Sequence, residues 1–208
     1  MTEIPPTALP CTVEKNGSTY FMTGTIKPEE EEEEDRRRPP FILFLKRKLQ
    51  DKKNDPLKIL WIFHNGNPPT EEQIEKLEQS LKKEELTGYT DASTKDGIST
   101  ASFQFQNKEG ETVLQGEVLV PGIDEIQCSH RGEMGGAAAA LTYLQTIIEY
   151  RQIKHGRVNF GCDSDNVVNV GLTQKQATSS MAEHYDLVRQ CQEARRNMSP
   201  IELVPVHV

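Results

Sequence analysis

The chain has 208 residues, of which 35% are hydrophobic, and a formal net charge of −8 at pH 7. That length accommodates one domain with a full core and a lead-in segment, or two small domains. The acidic balance argues against a protein that grips nucleic acid through a broad basic surface. The longest apolar run, Phe41–Leu45, is too short to span a bilayer, and the N-terminus lacks a signal-peptide pattern. We therefore expect a cytoplasmic or nuclear protein without a membrane partner.

Residues 1–85 are predicted to form a lead-in region. Asn16-Gly17 between β-favouring residues predicts a hairpin within Thr12–Ile26. Residues 29–40 begin with seven consecutive acids, which account for nearly all of the net charge, and continue with three arginines and two prolines. This composition is typical of a solvated low-complexity linker and, less often, of an interaction tail.

Three further elements are predicted before residue 86. The pattern favours a short helix over Phe41–Leu49 and a strand over Ile59–Phe63. Thr70 and Gln73 fit a capping box, and an apolar stripe follows it, so a helix is predicted over residues 71–84.

Residues 86–208 are predicted to form a second domain of the α/β class. Three strands joined by turns come first, at Thr87–Ser93, Ser99–Gln106 and Thr112–Val120. The elements that follow are a long helix, a strand, a short helix, a helix and a strand, at Cys128–Arg151, Arg157–Cys162, Ser164–Gly171, Ser179–Asn197 and Ile201–Val208. This order predicts a mixed five-stranded sheet, antiparallel and then parallel, with flanking helices. Pro205 predicts an edge position for the last strand.

Three acids stand at positions that favour a metal site. Asp91 lies in a strand that is predicted to be central and buried, where an uncompensated carboxylate is costly. Glu133 opens the long helix, and Asp163 ends the strand after it. Hard oxygen ligands of this kind suit Mg²⁺ or Mn²⁺.

Several alternatives stay open for individual residues. Glu133 is a metal ligand or only a partner of the helix dipole, and Asp165 competes with Asp163 at the same junction. Ser129 is interpreted as the N-cap of the long helix, and Arg131 contacts a phosphate or balances nearby acids. His130, His155 and His184 lack partners at metal-binding spacing. The four scattered cysteines are interpreted as reduced thiols, most of them packing residues.

The order of these motifs resembles the ribonuclease H family, especially its retroelement-encoded members. The motifs are Thr90-Asp91-Ala92-Ser93 before a turn glycine, Ser129-x-Arg131-x-Glu133 at the start of an alanine-rich helix, and Cys162-Asp163-Ser164 after a strand. The resemblance implies a ribonuclease H-like fold over residues 86–208. It also implies Asp91, Glu133 and Asp163 as catalytic metal ligands, and Ser93, Ser129 and Arg131 as substrate-binding residues.

The implied activity is metal-dependent hydrolysis of the RNA strand of RNA–DNA hybrids, with two cations held by carboxylates. A reverse transcriptase module is a further implied partner. The family pattern has a fourth acid after the last strand, so we expect that acid to lie beyond Val208 and expect activity to be impaired without it. Two alternatives remain: an inactive ribonuclease H-like binding or structural module, and another enzyme of the same fold, such as an integrase-like one.

Overall fold

The computed structural model describes residues 12–16, 19–23, 38–50, 69–122, 124–173 and 183–208. The chain divides into two compact units, Met1–Pro39 and Pro40–Val208. The first unit contains two antiparallel strands, β1 (Thr12–Asn16) and β2 (Thr19–Thr23), as the sequence predicted. Most of the predicted acidic linker and the whole of the strand predicted at residues 59–63 lie outside the described residues.

A mixed five-stranded sheet forms the second unit's framework. Its strands are β3 (Leu86–Lys95), β4 (Ile98–Gln106), β5 (Thr112–Leu119), β6 (Arg157–Cys162) and β7 (Glu202–His207). Their order is β5-β4-β3-β6-β7, with antiparallel pairing among the first three and parallel pairing of β6 with both β3 and β7. The predicted sheet is therefore confirmed, with β3 at its centre and Pro205 in an edge strand.

Four α-helices accompany this sheet in the described residues. They are α1 (Phe41–Gln50), α2 (Glu71–Lys82), α3 (Ser129–Arg151) and α4 (Tyr185–Asn197). A 3₁₀ turn at Asp124–Ile126 and a π-helical segment at Val167–Thr173 complete the order. No described helix has the length and apolar character needed to cross a membrane.

The helix boundaries confirm some sequence predictions and correct others. The Thr70 hydroxyl accepts from the Gln73 N–H at 3.2 Å and the Gln73 side chain accepts from the Thr70 N–H at 2.9 Å, so the capping box is confirmed. The N-cap assigned to Ser129 was wrong: Cys128 has the extended N-cap backbone, and Ser129 is the first helical residue. α4 begins at Tyr185, while residues 179–182 of its predicted span lie outside the described residues.

Helices α1 and α2 belong to the same compact unit as the sheet. Their apolar residues are buried in its core, namely Phe41, Leu45, Ile74, Leu77 and Leu81. An edge-to-face ring contact between Phe41 and Tyr150 joins α1 to α3, with ring centroids 5.1 Å apart. The lead-in helices therefore share apolar burial with residues 86–208, and a functional boundary after residue 85 stays a prediction.

Helix α3 approaches the sheet closely because glycines face it. A Cβ added at Gly136 would stand 2.1 Å from Oγ1 of Thr90, and one at Gly132 would stand 3.0 Å from Cβ of Ala92. The opposite side of α3 packs against α4, so the helix is buried on nearly all sides. This approach brings the first turns of α3 to the part of β3 that carries Asp91.

Candidate active site

Asp91 stands at an opening in the sheet beside its central strand. It pairs with Ser102 of β4 on one side, but the pairing of β3 with β6 ends at Tyr89 and Gly161, two residues earlier. By the alternation of strand residues, the side chain of Asp91 lies on the sheet face opposite α3, which packs on Thr90 and Ala92, and it is exposed. The central strand was predicted correctly, whereas the predicted burial of Asp91 was wrong.

Asp163 follows the last residue of β6 and is also exposed. Since β3 and β6 are parallel, Asp91 and Asp163 lie toward the carboxyl ends of adjacent strands. Such ends are the usual location of binding sites in α/β sheets. Two separated carboxylates are thus presented to solvent at one edge.

Glu133 supplies a buried carboxylate from α3, with only 8% of its surface exposed. Single ligand atoms of Glu133, Cys162 and Asp163 all lie within 4.8 Å of one another. Asp91 is outside this group, although its charge acts on Glu133. The structure therefore brings Glu133 and Asp163 into one cluster and places Asp91 close to it.

Burial and negative charge together raise the pKa of Glu133 to about 7. Desolvation is the largest cause, and the negative charges of Asp163 and then Asp91 add to it. A hydrogen bond from the backbone of Ala92 and one from the Cys162 thiol act in the opposite direction. The surroundings of Glu133 consequently do not supply enough positive charge to stabilise its ionised carboxylate.

Cys162 contributes a protonated thiol to this cluster. Burial raises its pKa to about 12, and its Sγ lies 3.8 Å from Oε2 of Glu133 as a donor. A thiol in this state is a weak donor and a poor ligand compared with a thiolate. The carboxylate oxygens are therefore the groups of the cluster best suited to hold a cation.

The donor set fits a hard divalent cation. Among the described residues, the ion pairs of lysine, arginine and histidine involve other acids than Asp91, Glu133 and Asp163. Mg²⁺ and Mn²⁺ prefer oxygen ligands. Three neighbouring carboxylates that no described cationic side chain pairs with therefore suit either ion. Such an ion would relieve the charge that raises the pKa of Glu133.

Asp163 and Asp165, which the sequence left as competitors, differ in their surroundings. The carboxylate of Asp163 faces Glu133, whereas Oδ1 of Asp165 lies 3.6 Å from Nε2 of His207. The same ring nitrogen is 3.1 Å from the backbone oxygen of Asp163. Asp163 rather than Asp165 therefore belongs to the cluster with Glu133, and Asp165 has a histidine neighbour.

An open groove extends from Asp91 across the sheet. It has a volume of about 1140 Å³ and is lined by β3, β4 and β5. By the alternation of strand residues, Asp91, Ser93, Ser102, Gln104 and Glu117 share the face that it covers. Its lining is therefore rich in hydroxyl, amide and carboxylate groups.

Of the residues predicted to bind substrate, only the two serines are accessible. Ser93 lines the groove, and Ser129 is exposed at the start of α3. Arg131 is 2% exposed and forms an ion pair with Asp186, with 2.6 Å between Nη2 and Oδ2. Its Nε also donates to the oxygen of Pro121 at 2.9 Å. Of the two interpretations left open, charge balance fits the structure, and a phosphate contact by Arg131 does not.

The strand order, the strand directions and the helix packed through its glycines agree with the architecture that the motifs imply. The fold is ribonuclease H-like. No protein-family model and no curated protein matches the chain.

Solved structures of similar architecture share little sequence with it. The ribonuclease H1 LC11, in complex with an RNA/DNA hybrid, is 17% identical, with a TM-score of 0.47 over 59% of this chain and 84% of that one. The ribonuclease H1 of Halobacterium salinarum NRC-1 is 18% identical, with a TM-score of 0.41 over the same shares. The foamy viral protease-reverse transcriptase, also with a hybrid, is 13% identical, with a TM-score of 0.44 over 68% of this chain and 19% of that one.

Sequence reasoning missed three contacts in this ribonuclease H-like fold. It assigned Cys162 no contact of its own and did not say which acid Arg131 balances. It was wrong to leave His184 without a partner, since Cys128 Sγ lies 3.5 Å from its Nε2. The partners of Arg131 and His184 lie 55 and 56 residues away along the chain. No local spacing signal could have found them. Only the position of Cys162, directly before Asp163, offered a hint.

Proposed function

We propose that this protein is a metal-dependent endoribonuclease that hydrolyses the RNA strand of RNA–DNA hybrids. The observation that carries the proposal is the buried carboxyl of Glu133, clustered with Asp163 and within electrostatic reach of Asp91 at the open edge of the central strand. An acid that is buried among other acids, without a cationic side chain, is an unfavourable arrangement unless a cation binds. Perturbed carboxyls of this kind are common at catalytic sites.

The three acids have different tasks in this proposal. A divalent cation bound there supplies positive charge that stabilises a phosphodiester under attack and makes water a better nucleophile. Asp91 and Asp163, both exposed, hold the cation at the surface where a phosphate can approach. Glu133 completes the ligand set from below, with its Oε2 3.8 Å from the Cys162 thiol.

The charge of the site explains why a cation must precede the substrate. Asp91 and Glu117 are exposed on the groove and Asp163 is exposed after β6, and each repels a phosphate when ionised. Ser93 on the groove and Ser129 at the first turn of α3 offer neutral donors to phosphate or sugar oxygens. Affinity for nucleic acid should therefore depend on divalent cations more than on basic side chains.

The retroelement character of the motifs extends the proposal to a reverse transcriptase module as partner. The motifs that support it are Thr90-Asp91-Ala92-Ser93 and Cys162-Asp163-Ser164. Hybrid nucleic acid is the product of reverse transcription, so such a pairing would supply the substrate directly. Copurification of this chain with a reverse transcriptase encoded beside it checks this part separately.

The test is cleavage of an end-labelled RNA–DNA hybrid in Mg²⁺ or Mn²⁺, beside matched RNA and DNA duplexes. We expect cuts in the RNA strand of the hybrid, loss of cutting in Asp91→Asn, and retention in Asp165→Asn, whose carboxylate lies by His207. Cutting that survives Asp91→Asn would refute the assigned site. Cutting of DNA duplexes but not of hybrids would point to an integrase-like enzyme.

A module that binds metal without cutting is the second candidate. Glu133 and Asp163 share one cluster, whereas Asp91 lies outside it and acts on Glu133 through its charge. If the hybrid stays intact while Mg²⁺ still raises the melting temperature through Asp91 and Asp163, this second function replaces the first.

A further inference from the structure

A second group of ligand-type side chains lies apart from the carboxylate site. Cys128, Glu183 and His184 each offer one ligand atom, and these three atoms lie within 4.8 Å of one another. The Sγ of Cys128 is 3.5 Å from Nε2 of His184, which is 3.4 Å from Oε1 of Glu183. None of these residues belongs to the cluster around Glu133.

The two residues that face each other occupy matching positions on packed helices. Cys128 is the N-cap of α3 and His184 the N-cap of α4, and neither side chain makes a capping hydrogen bond. Their side chains are thus not used to cap the backbone N–H groups of their helices. His184 has a left-handed backbone (φ 54°), and only 5% of its side chain is exposed.

The ion pair between Arg131 and Asp186 holds the two helix starts together. Arg131 lies in the first turn of α3 and Asp186 in the first turn of α4, and the pair is bidentate at 2.6 and 3.0 Å. Because this pair neutralises its own charges, the nearby guanidinium does not leave an unbalanced positive charge beside a metal. The ion pair between Arg131 and Asp186 therefore helps to hold Cys128 and His184 next to each other.

We propose that Cys128, His184 and Glu183 bind a thiophilic divalent cation, for which Zn²⁺ is the best match. Sulfur, imidazole nitrogen and one carboxylate oxygen form a ligand set of the zinc type, whereas Mg²⁺ takes oxygen ligands. Three protein ligands leave a fourth tetrahedral position for water. The chain would then sort metals by chemistry, with a hard cation at the carboxylates and a soft one at the helix starts.

Binding there would fasten the start of α3 to the start of α4. Glu133 lies five residues after Cys128 on the same helix. A cation at Cys128 therefore restrains the helical turn that leads to Glu133, in addition to stabilising the fold. This role does not require the protein to cut nucleic acid.

The test is a Co²⁺ titration of the full chain in excess Mg²⁺, which occupies the carboxylate site. Co²⁺ bound to a cysteine thiolate gives a ligand-to-metal charge-transfer absorption, and Zn²⁺ should displace it. We expect saturation at one equivalent, loss of the band in Cys128→Ser, and an unchanged band in Cys11→Ser. Cys162→Ser should also keep the band. This variant is the critical control, because Cys162 is the thiol of the other cluster.

Glu183→Gln distinguishes the loss of a metal ligand from a failure to fold. Its side chain is 80% exposed, so the metal-free melting temperature should stay the same while Co²⁺ affinity falls. Since outer-shell changes already cost about 10–100-fold in metal affinity, we expect a loss of at least about tenfold. Absence of a charge-transfer band, a band that persists in Cys128→Ser, or an unchanged affinity in Glu183→Gln would overturn the proposed site.

Discussion

The thiol of Cys162 donates to the carboxyl of Glu133 across 3.8 Å, at the point where β6 and α3 meet. Burial raises the pKa of Cys162 to about 12, so the thiol stays protonated, and it raises the pKa of Glu133 to about 7. Glu133 is therefore the member of this pair whose charge changes near neutral pH. Its ionisation completes the carboxylate set that a cation would bind.

Metal-free protein should lose stability as the pH rises from about 4.5 to about 7. In this window the folded state holds a proton on Glu133 that the unfolded state has released, because the pKa is 4.5 in an unperturbed chain and about 7 in the fold. The stability that this proton contributes is complete below about pH 4.5 and is lost as the pH rises past about 7. The shift corresponds to roughly 3 kcal/mol at most. Urea unfolding in a chelator from pH 4 to 8 measures it.

The matched variant for this experiment is Glu133→Gln, which cannot titrate. We expect the difference in unfolding free energy between wild type and variant to change across the same window. Glu111→Gln, an exposed acid on the β4–β5 turn, serves as the control and should follow the wild-type profile. Parallel profiles for wild type and Glu133→Gln would contradict the raised pKa.

Mg²⁺ should stabilise the protein, and the effect should depend on Asp91 and Asp163. A cation at 100 times its dissociation constant stabilises a folded protein by about 2.7 kcal/mol. Asn at either position removes a charged ligand and should shift the Mg²⁺ titration to higher concentrations. Because a proton competes with the cation at Glu133, affinity should rise with pH up to about 7. Thermal melting over a Mg²⁺ series measures these shifts.

Asp165→Asn is the control for the Mg²⁺ series. Its carboxylate lies near His207 rather than Glu133, so its loss should leave the titration unchanged. Equal stabilisation of Asp91→Asn, Asp163→Asn and wild type would mean that Mg²⁺ binds elsewhere.

The sequence predicted the parts of the fold that depend on neighbouring residues. Asp96 and Gly97 both adopt positive φ, 52° and 74°, in the turn that joins β3 to β4. Such two-residue turns are encoded by their own side chains. The same is true of the Thr70 capping box and of the three acids, each of which follows a local pattern of strand or helix.

What the sequence could not predict depends on relations between distant elements. Asp91 is exposed because its side chain lies on the sheet face that α3 does not cover, and the residues around Asp91 do not show which face a distant helix covers. The contacts of Arg131 with Asp186 and of Cys128 with His184 arise from the packing of α3 on α4. The residues of each pair are more than 50 positions apart, so no local sequence pattern indicates that they are in contact.

Replacing Asp186 with Ala should destabilise the protein more than its exposure suggests. The substitution removes the carboxylate from the buried guanidinium of Arg131, whose Nε still donates to the oxygen of Pro121 at 2.9 Å. Breaking a fully buried pair costs about 3–5 kcal/mol, and water screening around Asp186, which is 58% exposed, reduces that value. Chemical denaturation measures the change. Arg189→Ala, which removes a surface pair with Glu193 on the same helix, should have a much smaller effect, and equal effects would contradict the assigned role of Arg131.

Gly136→Ala should destabilise the protein although alanine is the better helix former. The added Cβ would lie 2.1 Å from Oγ1 of Thr90 and 3.1 Å from Cβ of Ala101, so α3 must move away from β3. Overpacking of this kind costs about 1–3 kcal/mol, beyond the gain of up to about 1 kcal/mol in helix propensity. The double variant Thr90→Ala/Gly136→Ala removes the clashing hydroxyl, which donates to the Ser102 oxygen at 3.0 Å, and should recover part of the loss. If instead the single variant were as stable as wild type in urea, the close approach of α3 to β3, which brings Glu133 to the acids of the sheet, would be refuted.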